Sequence, residues 1–215
     1  MDVLLNNLDV FVPAFGNTLL LFAVSLVFAL LIGTVVGAMR VSPVPIARAV
    51  GTVYVNTVRN TPLTLLMFFF AFGYPKLDLP DLDYTTLAIC ALSLYTATYV
   101  AEVLRSGINT VPIGQAEAAR AVGLDFGLTM TQVVLPQAFR SVIPPLMSVL
   151  IALLKNTTVA AGFSVAEAGT IVRELNERGE NSLIVVLWVA LVFVVLVTGL
   201  SLVQRQLEKK WRVAR

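Results

Sequence analysis

Residues 117–136 read EAARAVGLDFGLTMTQVVLP. Glu117-Ala118-Ala119 opens the stretch, Gly123 interrupts it, and Val133, Leu135 and Pro136 close it. Helix-forming residues run from Gln115 to Val122 and then stop. A glycine just past a helix end takes positive φ without a Cβ penalty, so Gly123 predicts a C-terminal turn. Asp125 is placed to cap a second helix running to Pro136. The stretch has no membrane-length apolar run, whereas both of its flanks do. It predicts a helix–turn–helix held outside a bilayer, with a shape that a soluble partner can take into a groove. An amphipathic helix resting on the membrane surface is the competing reading.

The flanks decide where that element sits. The chain is 58% hydrophobic and 13% charged, against about 25% charged in an ordinary soluble domain. A water-soluble core cannot hide that much apolar surface, so a bilayer must take it. About five transmembrane helices are expected in one membrane domain over 1–215, at roughly 18–39, 61–75, 84–104, 141–163 and 181–203. The loop 105–140 lies between the third and fourth. Gly33 and Gly37 form a small-xxx-small face for close helix approach. Ser42-Pro43-Val44-Pro45 breaks the chain before a basic connector holding Arg48 and Arg59. Pro62 suits a first helical turn, Tyr84, Tyr95 and Tyr99 suit interfacial anchoring, and Ser164 to Glu180 suits a charged amphipathic segment outside.

Charge fixes the orientation. With the N-terminus outside, the inner side collects Arg40, Arg48, Arg59, Arg105, Arg120, Arg140, Arg205, Lys209, Lys210, Arg212 and Arg215. The outer side holds only Lys76, Arg173 and Arg178, plus the acids Asp2, Asp9, Asp78, Asp81, Asp83, Glu174, Glu177 and Glu180. That is the positive-inside pattern, with the C-terminus inside. Asp2 and Asp9 before the first apolar run, with no basic residue, do not fit a secretory signal. The Glu117 stretch therefore falls in the cytoplasm.

Polar residues within spans are the candidates for a route. Lys155 sits inside the fourth apolar run beside Asn156, Thr157 and Thr158. A lysine at mid-bilayer costs roughly 2.5–3.5 kcal/mol, so it should face a polar cavity that could receive a carboxylate, or else snorkel to the outer surface. Asn60 and Thr61, at the mouth of the second span, could expose polar groups near a helix N-terminus. Metal-site, disulfide and Cys/His catalytic readings are excluded by one cysteine and no histidine. The phosphate-binding pattern GxxxxGK[ST] is absent and no acid–base–nucleophile set stands out, so nothing reads as an enzyme.

The order Glu117-Ala118-Ala119, Gly123, Val133, Leu135-Pro136 resembles the EAA motif of ABC-importer permease subunits, with Val133 where that family usually has Ile. MRVSPV at 39–44, NTVRNTPLTL at 56–65, YTATYVAEVLRSGINTV at 95–111, GQAEAAR at 114–120 and LIALLKNTTVA at 150–160 are similar to the polar-amino-acid branch, and most similar to actinobacterial glutamate permeases. The resemblance implies a type I (MetI-like) all-α membrane fold in the bacterial cell membrane. It implies that Glu117, Ala118, Ala119, Arg120, Gly123, Leu135 and Pro136 couple the chain to an ATP-binding subunit. It also implies a pair of such subunits carrying ATP and Mg, an external substrate-binding protein, and a second permease subunit, either a sister chain or a second copy of this one. The chain itself would carry no cofactor and touch lipid and an amino acid rather than nucleic acid. Relatives taking basic amino acids often have Asn-Glu-Phe where this chain has Ser148-Val149-Leu150. The resemblance therefore implies an acidic or neutral substrate.

Overall fold

The computed structural model describes residues 2–211, with side chains over 3–209, and the regular secondary structure among them is all helical. The basic-tail side chains Lys210, Arg212 and Arg215 lie outside the described residues. Helix α1 (Asp2–Asn6) leads into α2 (Leu8–Val41), then α3 (Pro45–Arg59) and α4 (Leu63–Phe68). Next come α5 (Tyr84–Asn109), α6 (Ile113–Ala121), α7 (Phe126–Leu128), α8 (Leu135–Asn156), α9 (Ile171–Glu177) and α10 (Ser182–Trp211).

Among the described residues four helical stretches are long and apolar enough to cross a bilayer: Leu8–Val41, Tyr84–Asn109, Phe126–Phe163 and Ser182–Lys209. The expected second span is shorter. It is an apolar helix over Leu63–Lys76, about 21 Å at 1.5 Å per residue. Before it, the connector expected from the prolines is itself a helix, α3, broken from α4 at Asn60–Pro62. Pro62 stands one place before the first helical turn, where its carbonyl accepts from Leu65 and Leu66.

Prolines do not end the fourth span. Thr129–Val134 winds as a π-turn directly before α8, with Pro136 near that helix's start, and Phe69–Gly73 does the same two residues before Pro75. A widened turn relieves the clash of a proline ring with the carbonyl four residues back. Phe126 to Phe163 is thus one rod of 38 residues. The second half of the expected 105–140 loop is its extension, and past Lys155 and Asn156 the winding changes from α to 3-10 at Thr157–Phe163.

α2 and α5 pack at the centre. A Cβ built on Gly33 would stand 2.5 Å from Val100 Cβ, and one on Gly37 would stand 3.2 Å from Leu104 Cβ. The two backbones approach only because both glycines lack that carbon; in lipid such fit replaces the hydrophobic drive. Around this pair, Leu21, Met67, Leu92, Leu153 and Phe163 join α2, α4, α5 and the α8 rod in one buried cluster. A second cluster, of Phe11, Ile171, Leu175 and Val185, seals the other end with α9 and α10. Arg178 bonds Asp9 at 2.9 Å and Asn7 bonds Glu180 at 3.0 Å at that end, while Arg40, Glu102 and Arg105 gather at the opposite one.

Candidate functional site

At the Glu117 stretch, α6 ends as expected. Gly123 has φ +92°, its N–H donates to the Arg120 carbonyl, and the Leu124 N–H donates to the Ala119 carbonyl. These two bonds are a Schellman motif. The Asp125 carboxylate accepts from the Leu128 N–H at 2.8 Å, as a cap should. Glu117, Ala118 and Arg120 are exposed, as are Leu135 and Pro136. Ala119 instead turns inward, with α6 lying on the π-turn of Thr129–Val134. Nothing lies within 4 Å of a Cβ on Gly123; its value is positive φ, not room for a close neighbour. Ile113, Val122 and Phe126 add an apolar rim that is 72–79% exposed. That is an uncovered surface on a short helix whose opposite side is already packed.

Between α5 and α8 lies an open-mouthed cavity of about 280 Å³. Tyr95, Thr96 and Tyr99 wall it from α5; Ser148, Val149, Ala152, Leu153 and Asn156 wall it from α8. Tyr95 and Tyr99 are not interfacial anchors. They share a hydroxyl–hydroxyl hydrogen bond of 2.9 Å midway along α5, with rings 5.2 Å apart. Tyr84, at the start of α5 and 47% exposed, keeps the position expected of an anchor. Arg59 stands over the Tyr99 ring at 5.3 Å from its centroid, a cation–π contact. Its guanidinium is therefore a cation against the cavity wall. A basic residue just before a helix break is the signal that marks it in the sequence.

The polar residues expected to form a route are divided. Asn156 lines the cavity. Lys155 points away from it and is exposed on this chain. Thr157 is buried with its hydroxyl donating to the Leu154 carbonyl at 2.7 Å, and Thr158 donates to the Lys155 carbonyl at 2.8 Å. Asn60 is exposed, and the Thr61 hydroxyl donates back to Thr57 at 2.8 Å. Ser148 and Val149, singled out for substrate choice, both face the cavity.

A buried acid was not foreseen. Glu167 lies in the segment expected to be a charged outer surface, yet its side chain is wholly inside. One carboxyl oxygen accepts from the Gly169 N–H at 2.8 Å, and the other is 3.2 Å from the Thr18 hydroxyl. Thr18 in turn accepts from the Ala168 N–H and lies 3.1 Å from the Ala14 carbonyl. Burial raises the Glu167 pKa above the ordinary glutamate value, against the lowering by the Gly169, Thr18 and Ala168 bonds.

Residues 12–213 match the family described as binding-protein-dependent transport system inner membrane component. The glutamate transport system permease protein GluC of Corynebacterium glutamicum is 44% identical, over 94% of this chain and 94% of that protein. The probable glutamine ABC transporter permease protein GlnM of Bacillus subtilis is 34% identical, over 98% of this chain and 97% of that one. A solved amino acid ABC transporter with histidines superposes with a TM-score of 0.91 at 23% identity, over 96% of each chain; that likeness is one of fold.

Proposed function

This chain belongs to the binding-protein-dependent transport system inner membrane components, a multi-pass membrane family, and from that premise we propose that it is the permease subunit of an ATP-driven importer of glutamate. ATP hydrolysis lies on separate subunits. We place ATP and Mg on a pair of them, docked against the exposed face of α6. An extracytoplasmic binding protein delivers the substrate, and a sister permease completes the complex.

The single observation that carries the glutamate reading is the 44% identity to a glutamate permease across nearly the whole of both chains. The cavity agrees with it. No carboxylate is among its lining residues, Val149 forms part of the wall, and the cation against the wall is Arg59. Two tyrosine hydroxyls, Thr96, Ser148 and Asn156 offer hydrogen bonds for a zwitterionic head group. Lys155 and Asn60, exposed on this subunit, and half-buried Thr61 would line the route where the second permease closes against it; Thr157 and Thr158 begin the 3-10 turn beside it.

The test is ATP hydrolysis by the complete complex in proteoliposomes, with its binding protein, across glutamate, glutamine, aspartate, arginine and histidine. Stimulation by glutamate above the other four is expected. Stimulation by arginine or histidine would overturn the substrate while leaving the importer standing.

A further inference from the structure

At the inner end of α2, Arg40 is held in a three-sided contact. Its aliphatic stem lies on Gly51 of α3, where a Cβ would come within 2.9 Å of Arg40 Cγ. Its guanidinium bonds one oxygen of Glu102 on α5. The other Glu102 oxygen accepts from Arg105 Nη2 at 2.5 Å and Nε at 3.2 Å. The Arg40 side chain is 9% exposed, and its Nε has no hydrogen-bond partner. A buried pair of this kind adds little stability against an apolar replacement, but breaking one side strands a charge. Its more useful product is a fixed register between the two helices it joins.

α2 is tied at two levels. Thr18 holds the Glu167–Gly169 segment at the outer side, and Arg40 holds α5 at the inner side. The 22 helical steps from Thr18 to Arg40 span about 33 Å, the thickness of a bilayer core. Below Glu102, α5 continues to Asn109 and passes into α6 through Thr110–Pro112. That link is stiff: the Thr110 N–H donates to Ser106 and Gly107, its hydroxyl donates to Gly107 at 2.6 Å, and the Val111 N–H donates to Ile108. Displacement of α6 has little slack in which to be lost.

We infer that Glu102 is a positioning residue that clamps α5 to α2 through Arg40, so that α2 relays the state of the outer Glu167 segment to the coupling helix α6. The inference rests on the importer reading above. The experiment measures, in reconstituted complexes, the ratio of ATP hydrolysis with glutamate-loaded binding protein to hydrolysis without it. Wild type serves as the control for that reading: if wild type shows no stimulation, the glutamate-importer assignment has failed and not the clamp.

Glu102→Gln is expected to assemble, keep its basal hydrolysis, and lose about fivefold or more of the stimulation ratio, the low end of ordinary coupling free energies. Glu102→Asp should retain most of it. Thr18→Val, at the outer tie of α2, should lower the same ratio. A ratio for Glu102→Gln within about twofold of wild type overturns the clamp. So does a fall in assembled complex whose surviving fraction is fully stimulated, because that is the signature of a structural brace alone.

Discussion

α6 and α9 are built alike and finished differently. Each is a short helix between long spans, and each ends on a positive-φ glycine, Gly123 or Gly179, with both Schellman hydrogen bonds in place. α9 buries Ile171 and Leu175 completely and sends Arg173, Glu174 and Glu177 towards solvent, so its apolar side is satisfied within this chain. α6 buries Ala119 and leaves Ile113, Val122 and neighbouring Phe126 uncovered. The local fold is the same; what differs is whether the apolar face has a partner in the same polypeptide. α9 is closed over within this chain, whereas α6 keeps an apolar surface that this chain leaves uncovered.

Substitutions should separate the two helices most sharply in stability. Leu175→Ala empties a fully buried site and should cost about 2–5 kcal/mol, whereas Ile113→Ala should stay within about 0.5 kcal/mol. Thermal unfolding of the purified subunit measures both, and equal losses would erase the distinction. The next effect is functional. Val122→Asp should cut stimulated hydrolysis about tenfold or more in the assembled importer while membrane insertion is normal, as for a charge buried at an interface hot spot. Full stimulation would show that α6 docks nothing.

The two glycines should then behave alike. Gly123→Ala and Gly179→Ala each force a side chain into positive φ, at about 1 kcal/mol apiece. A much larger loss at Gly123 alone would mean that its open side is covered in the folded subunit. The smallest effect is in pH. Burial raises the Glu167 pKa, so the folded chain binds its proton more readily than the unfolded chain does. Stability is therefore greatest below the ordinary glutamate range, falls as pH rises through the raised value, and then levels off. Glu167→Gln keeps an acceptor for Gly169 and has no charge to bury. Melts across about pH 4–8 should show this slope in wild type and not in the variant; identical slopes would place the titration elsewhere.

Much of this was legible in the residues. Gly123 and Asp125 marked the turn and the cap because both act on their own neighbours. Gly33 and Gly37 marked a close helix contact, though not that Val100 and Leu104 would fill it. Pro136 misled: it read as the close of the stretch, and the chain carries it just past a π-turn inside a continuous rod. Lys155 drew attention because a lysine in an apolar run is costly, yet Asn156 beside it is the residue that reaches the cavity. One position is about 100° of helix, and only packing decides which side faces in.

The sequence alone determined the apolar runs, the side of the membrane for each loop, and the turn at Gly123, because transfer to lipid, the Lys/Arg bias of loops and backbone freedom at glycine are properties of short segments. Tertiary structure decided which polar groups meet. Arg40 finds Glu102 across 62 positions and Thr18 finds Glu167 across 149, and Arg59 finds the ring of Tyr99. Arg40 and Glu167 read as ordinary loop charges until close packing removes the water around them, and then their partners are the ones the bundle brings within reach.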